Sequence, residues 1–263
     1  MVDRPVAEVV VVTLNRPERM NAMAFDVMVP FRDRLVELGH DNSVRAIVVT
    51  GAGRGFCSGA DHESAGTPPY VEGLTRPTYA LRSMELLEDI TLTLRRLHQP
   101  VIAAVNGAAI GGGLCLALAC DIRLASPDAY FRAAGINNGL TASELGLSYL
   151  LPRAIGSSRA AEIMLTGRDV DAREAERIGL VSRVADDVVA AAVETGQQVA
   201  GFSQPGVELT KRTLVAGLDA SSLEGHMHAE GLGQLYLRLL TDNFEEATRA
   251  RKEKRAPRFT DDR

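Results

Sequence analysis

Four glycines fall within the seven positions 107–113 of the segment NGAAIGGGLCLALACDI (106–122), and the chain then turns at once into an apolar run. Glycine adds no side chain and reaches backbone conformations closed to other residues, so such a stretch marks a place where backbone must approach something closely. The preceding VIAAVNG (101–107) reads as a buried strand, and the residues from about 112 to 120 read as a short helix opened by the glycines. The first side chain after them that can ionise is a thiol, Cys115.

The rest of the chain repeats this alternation. VAEVVVVTLN (6–15) and VRAIVVTG (44–51) read as further strands, and DIRLAS (121–126) as another. Between the first two, residues 21–41 carry helical spacing, with Phe31, Leu35 and Leu38 on one face and Gly39 as a stop; Pro30 must lie in the first turns or kink the helix. A long helix is predicted over 79–98. Strand, helix, strand, helix, strand with tight connections implies an α/β fold with a largely parallel sheet. From about 157 the pattern turns helical, interrupted by a strand at LVSRV (180–184), and RKEKRAPRFTDDR reads as a charged, frayed tail.

At 263 residues the chain can bury a sizeable core. A net charge of −5 and the lack of a long basic run argue against a nucleic-acid surface. The N-terminal run has no signal-peptide character, and no apolar run approaches the ~20 residues of a membrane span. The three cysteines show no CxxC spacing, which fits reduced thiols in a cytoplasmic protein.

A second glycine segment, GAGRGFCSGAD (51–61), also follows a buried strand. Both loops therefore lie at the carboxyl ends of strands, where ligands bind in open α/β sheets. Gly111, Gly112 and Gly113 also open a helix and present unpaired amides at its positive end. Two such loops side by side can aim two N–H groups at one oxygen, forming an oxyanion hole. A dinucleotide site is the rival, but the third glycine of GxGxxG falls at Phe56, no helix pattern follows, and no GK[ST] is present. Glycines that only make tight turns explain one loop better than two.

FCSGAD (56–61) and PVIAAVNGAAIGGGLCLALACDIRLAS (100–126) resemble the two signature segments of the enoyl-CoA hydratase/isomerase (crotonase) superfamily, and the resemblance extends over roughly residues 5–217. It implies a crotonase-like spiral of ββα turns over 1–200, with a helical C-terminal region over 201–263 serving as lid or in trimerisation. It further implies a coenzyme A thioester as substrate, no separate cofactor, and a homotrimer or homohexamer without nucleic-acid or membrane partners. Carried over by position, the amide donors are Ala60 and Gly112, with Ser58, Gly59, Asp61, His62, Glu63 and Gly111 lining the approach of the substrate.

Family hydratases use two glutamates, and this chain has Cys115 and Gly135 at the matching positions. A thiol in an apolar helix is a poor substitute, since burial raises its pKa. Glu144, in GLTASELG (139–146), stands close to where dienoyl-CoA isomerases and other relatives carry an aspartate. One carboxylate beside an oxyanion hole can move a proton between two carbons, which suits double-bond migration better than hydration. The competing reading of Glu144 is structural: Thr141-Ala-Ser-Glu144 has the T-x-x-E pattern of a helix capping box. Three functions stay open: an enoyl-CoA hydratase or isomerase, an acyl-CoA binder without turnover, and a thioester hydrolase or dehalogenase with a carboxylate nucleophile. Glu85 and Glu88 read as a solvated helix face, Asp121 and Arg123 as structural, and His226 and His228 are wrongly spaced for a metal on one helical face.

Overall fold

The computed structural model describes residues 1–261. Its strands are β1 (Val2–Val6), β2 (Val9–Leu14), β3 (Ala46–Gly51), β4 (Gly55–Cys57), β5 (Val101–Val105), β6 (Ala108–Ile110), β7 (Ile122–Ala125), β8 (Tyr130–Arg132), β9 (Val170–Asp171) and β10 (Arg183–Val184). The helices of the first two-thirds are α1 (Phe25–Gly39), α2 (Arg76–Arg96), α3 (Gly112–Ala119), α4 (Leu147–Ile155), α5 (Ser157–Thr166) and α6 (Ala172–Ile178). Then come α7 (Val188–Ala200), α8 (Gln204–Gly217), α9 (Leu223–Leu240) and α10 (Asn243–Glu253).

The strands divide into two sheets, ordered β1-β2-β3-β5-β7-β10 and β4-β6-β8-β9. Each turn of chain gives one strand to each sheet before its helix: β3 and β4 precede α2, β5 and β6 precede α3, and β7 and β8 precede α4. Like strands of successive turns pair in parallel, β3 with β5 and β5 with β7 in one sheet, β4 with β6 and β6 with β8 in the other. This is the expected spiral. The nearly unbroken apolar character of β2, β3 and β5 follows from burial on both faces. Val10, Val12, Ile47, Val49, Val101 and Ala103 enter the main core, while Val9, Val11, Ala46, Val48, Ile102 and Ala104 meet Val188 and Ala192 of α7.

Several elements differ from the sequence reading. The N-terminal run is two antiparallel strands broken at Ala7–Glu8. The three-residue strands β4 and β6 escaped notice because each lies inside a glycine-rich segment too short to show a period. LVSRV supplies only two strand residues. Pro30, by contrast, lies in the second turn of α1, within the first turns as read. The tail is not frayed over its described part. Asp261 accepts from Ser203 Oγ (2.7 Å), Gln204 N (3.0 Å) and Asn243 Nδ2 (2.7 Å), and Arg255 pairs with Glu246 at 2.6 Å.

One buried cation ties the C-terminal helices to the spiral. Lys211 of α8 donates to Leu94 O and Gln99 O and pairs with Asp121 at 2.7 Å. Asp121 also accepts from Val101 N, so the start of β5, the start of β7 and α8 share one carboxylate. Arg123 is structural as well, donating to Leu180 O and Cys120 O.

Candidate active site

The first loop is shaped by a buried asparagine. Asn21, with φ +56°, accepts from Arg16 N (2.8 Å) and donates from Nδ2 to Ala52 O (3.0 Å) and Gly55 O (2.8 Å). At Gly51 a Cβ would lie 2.3 Å from Gly55 O, so only glycine allows this hairpin-like return into β4. Past β4, Met23 N donates to Gly59 O (2.7 Å) and Asp61 N to Met23 O (3.0 Å). This parallel bridge between Met23 and Ala60 turns the intervening Ala60 N–H the other way.

The second loop lies against the first. Gly59 has φ +84°, and a Cβ on it would sit 2.7 Å from Ile110 O and 3.3 Å from Gly112 N. A Cβ on Gly113 would lie 2.0 Å from Cys57 O, and one on Gly112 would lie 2.3 Å from Met23 Sδ. The glycines are therefore required by backbone packed on backbone and on Met23. Gly112 is the first residue of α3, where amides lack intrahelical acceptors. Among the described residues, neither Ala60 N nor Gly112 N has an acceptor. The two loops thus bring two unspent N–H donors into neighbouring backbone.

Glu144 completes the junction. Its Oε1 is 3.3 Å from the point where a Cβ on Gly111 would stand, and Gly59 Cα is 4.0 Å from the same point. The carboxylate is half-buried and, among the described residues, accepts no hydrogen bond. Burial raises its pKa, partly opposed by the charge of His62 nearby. The capping box is not formed: α4 begins at Leu147 behind Gly146, and Thr141 Oγ1 donates to Ser143 O (3.1 Å). Glu144 caps no helix.

The two positions where family hydratases carry glutamate are closed to that role. Cys115 is fully buried in α3, its thiol donates to Glu144 O at 3.5 Å, and burial pushes its pKa well up, with Glu144 adding to the effect. At Gly135 a Cβ would stand 1.9 Å from Thr141 O. The crossing of the 141 backbone over this residue excludes any side chain.

The remaining expected residues divide by where they point. Ser58 N donates to Met20 O (3.0 Å), and the exposed His62 lies near enough for its charge to act on Glu144. The Asp61 side chain faces inward instead. It pairs with Arg19 (2.6 Å) and Arg16 (3.1 Å) and accepts from Glu63 N and Ser64 N, which leaves only its backbone to face a ligand. Arg19 beside it holds the Asp61 carboxyl well below the usual carboxylate range. Glu63 is exposed and pairs with the same Arg19 at 2.5 Å. Glu85 and Glu88 are exposed on α2. Among the described residues, no group of His, Cys, Asp and Glu is placed to hold a metal ion.

Sequence reasoning missed Asn21, Arg19, Met23 and Leu145. Asn21 and Met23 lie in LNRPERMNAM (14–23), yet nothing in their spacing shows that they brace a loop more than 30 residues on.

Comparison with known proteins identifies the family. The family model for enoyl-CoA hydratase/isomerase matches residues 5–262. A probable enoyl-CoA hydratase of Mycobacterium tuberculosis is 73% identical over all of this chain and 93% of its own length. A probable enoyl-CoA hydratase/isomerase from Mycobacterium abscessus, solved by crystallography, superposes with TM-score 0.96 at 71% identity, covering 100% of this chain and 99% of that one. A crystal structure described as a monofunctional enoyl CoA isomerase from M. smegmatis gives TM-score 0.74 at 64% identity over 86% of this chain and 97% of its own. The spiral, the paired glycine loops and these matches together place the chain in the enoyl-CoA hydratase/isomerase family.

Proposed function

We propose that this enzyme moves a double bond along the acyl chain of an enoyl-CoA thioester, with Glu144 as its single acid/base. The N–H groups of Ala60 and Gly112 hold the thioester oxygen. Glu144 takes a proton from the carbon that is to join the new double bond, the electron pair flows into the thioester as a dienolate, and the same carboxyl returns the proton two carbons away. No atom is gained or lost, so acid/base and oxyanion chemistry suffice and no separate cofactor is called on. Each amide donor of this kind contributes roughly 2.7–4 kcal/mol to the transition state. The observation carrying the proposal is the unpaired, half-buried Glu144 carboxylate beside Gly111, where the two loops meet, with a thiol and a side-chain-free glycine at the two positions where family hydratases carry glutamates. The M. smegmatis isomerase among the structural neighbours is in keeping with it.

The second reading is hydration, favoured by the names of the mycobacterial relatives. In it Glu144 activates a water in place of a substrate C–H. One experiment separates the two. Wild type and Glu144→Gln are incubated in D2O with 2-hexenoyl-CoA and with 3-hexenoyl-CoA, and products are read by mass spectrometry and NMR. Interconversion of the two esters that disappears in the variant supports isomerisation. A 3-hydroxyacyl product that depends on Glu144 makes the enzyme a hydratase. Tight binding of both esters without exchange or turnover makes it an acyl-CoA binder.

The reading extends to assembly and location. Homotrimer or homohexamer formation through the C-terminal helices is supported by α9, none of whose residues is buried and which exposes Leu232, Leu235, Tyr236 and Leu239. Among the described residues no helix is long and apolar enough to cross a membrane. A cytoplasmic setting suits the three buried free thiols.

A further inference from the structure

Glu144 reaches the junction of the two loops from a contorted piece of backbone. Leu145 has φ +44° and Gly146 φ +88°, so two successive residues are left-handed, and the first is a leucine. Strain of this kind persists only where surrounding structure over-determines it. Leu145 is buried, and its Cδ1 would be 3.5 Å from a Cβ on Gly112. Apolar packing therefore pulls the leucine side chain in, but it does not set the direction of the preceding carboxylate.

Two side chains from two other helices grip the turn by its carbonyls. Thr91 Oγ1, from α2, donates to Leu145 O (3.3 Å), and Cys115 Sγ, from α3, donates to Glu144 O (3.5 Å). Both groups are buried. A helical Thr or Cys ordinarily turns its proton back to the carbonyl four residues earlier. Here Thr166, Thr195, Thr210 and Thr248 do so, and so does Cys120 towards Leu116 O. Thr91 and Cys115 instead reach across to the same turn. Leu147 N donates to Glu144 O as well (2.7 Å), so this carbonyl is held from two sides.

We propose that Thr91 and Cys115 are positioning residues, which clamp the strained Glu144–Gly146 turn and so fix the Glu144 carboxylate against Gly111. The inference rests on the reading of Glu144 as acid/base. It also gives the thiol a role at the position where family hydratases carry a carboxylate: Cys115 holds the relocated carboxylate by its backbone. The amide of Ala60 lies in another segment, and that of Gly112 is set by the backbone at the start of α3 and its packing on Met23. Loosening the clamp therefore disturbs proton transfer and leaves binding of the thioester intact.

The test uses the full chain with 3-hexenoyl-CoA, comparing Thr91→Val, Cys115→Ala and their double variant with Thr91→Ser, Cys115→Ser and Glu144→Gln. Thr91→Val is nearly isosteric and Cys115→Ser keeps a donor, so folded protein is available on both sides of the comparison. The double variant is expected to lose kcat by roughly 10- to 100-fold, the scale of an ångström of misplacement, with KM for the ester unchanged. Thr91→Ser and Cys115→Ser are expected to restore kcat. If the double variant keeps wild-type kcat while Glu144→Gln is inactive, the clamp is refuted and the acid/base stands. If kcat falls only together with a matching rise in KM, or the serine variants fail to rescue, the two residues are merely structural and the clamp is again refuted. If Glu144→Gln turns over at the wild-type rate, or wild type does not turn over the ester, the acid/base reading fails and the clamp falls with it.

Discussion

A carboxylate half out of water, with no hydrogen-bond donor among the described residues, costs the fold something, and Glu144 is such a group. Its native pKa is raised, chiefly by burial. The native state therefore binds this proton more tightly than the unfolded chain, and stability falls as pH rises from the ordinary glutamate value of about 4.3 up through the raised native value. Glu144→Gln is thus expected to raise Tm at neutral pH while abolishing turnover. The gain should vanish below about pH 4, where the wild-type side chain is neutral in both states. Thermal unfolding of both proteins across that range is the measurement, and a variant less stable at neutral pH would show that the charge is compensated. Gly135 makes the complementary point: with Thr141 O 1.9 Å from any Cβ, the family's second glutamate has no space here.

At the scale of elements, the first loop stays in place because charge is buried under it. Asp61 draws together Arg16, Arg19 and the amides of Glu63 and Ser64, one residue beyond Ala60. Its pKa is depressed, first by the hydrogen bond from Arg19 and then by the Ser64 amide. The sign is the reverse of that at Glu144. The stabilisation is fully present above about pH 4 and is lost as pH falls towards the depressed native value. Asp61→Asn should flatten this acid-side loss in Tm measured between about pH 2 and pH 6. It should also lower kcat about tenfold or more by releasing the Ala60 N–H from its line. A variant with wild-type kcat would show that the Met23–Ala60 bridge holds the loop alone. The Lys211–Asp121 pair is the corresponding strut for α8, and here breaking a buried pair typically costs about 3–5 kcal/mol. Lys211→Met should lose on that order in denaturant unfolding, and a loss below about 1 kcal/mol would mean that α8 docks by apolar packing alone.

For the whole molecule, the exposed apolar side chains concentrate in the C-terminal region. Leu232, Leu235 and Leu239, at helical spacing along α9, are all exposed, an apolar stripe of the kind that ordinarily marks an interface. Light scattering is expected to return three or six times the chain mass of 28.2 kDa. Leu235→Glu with Leu239→Glu should give smaller species with unfolding cooperativity retained, because neither side chain contributes to the core of the spiral. An unchanged mass would place the interface elsewhere.

The chain's own order of residues determined the α/β spiral, the long helices and the two glycine loops. The α/β class, the helices and the loops follow from local periods, apolar run lengths and glycines, which neighbouring residues impose on one another. The spiral was legible only through the resemblance of the two signature segments. VIAAV and AIVVTG could be read as buried strands because both faces of each strand are apolar, whatever covers them. Only the tertiary structure decided that Glu144 caps no helix. TASE carries the local pattern of a helix cap, and the cap is absent because Leu145 and Gly146 turn left-handed and delay the helix to Leu147. The forces behind that turn come from far along the chain, from Thr91, Cys115 and the packing of Leu145 towards Gly112. The same holds for the inward turn of Asp61 and for the docked tail, whose partners are set by contact across the fold and leave no trace in sequence spacing.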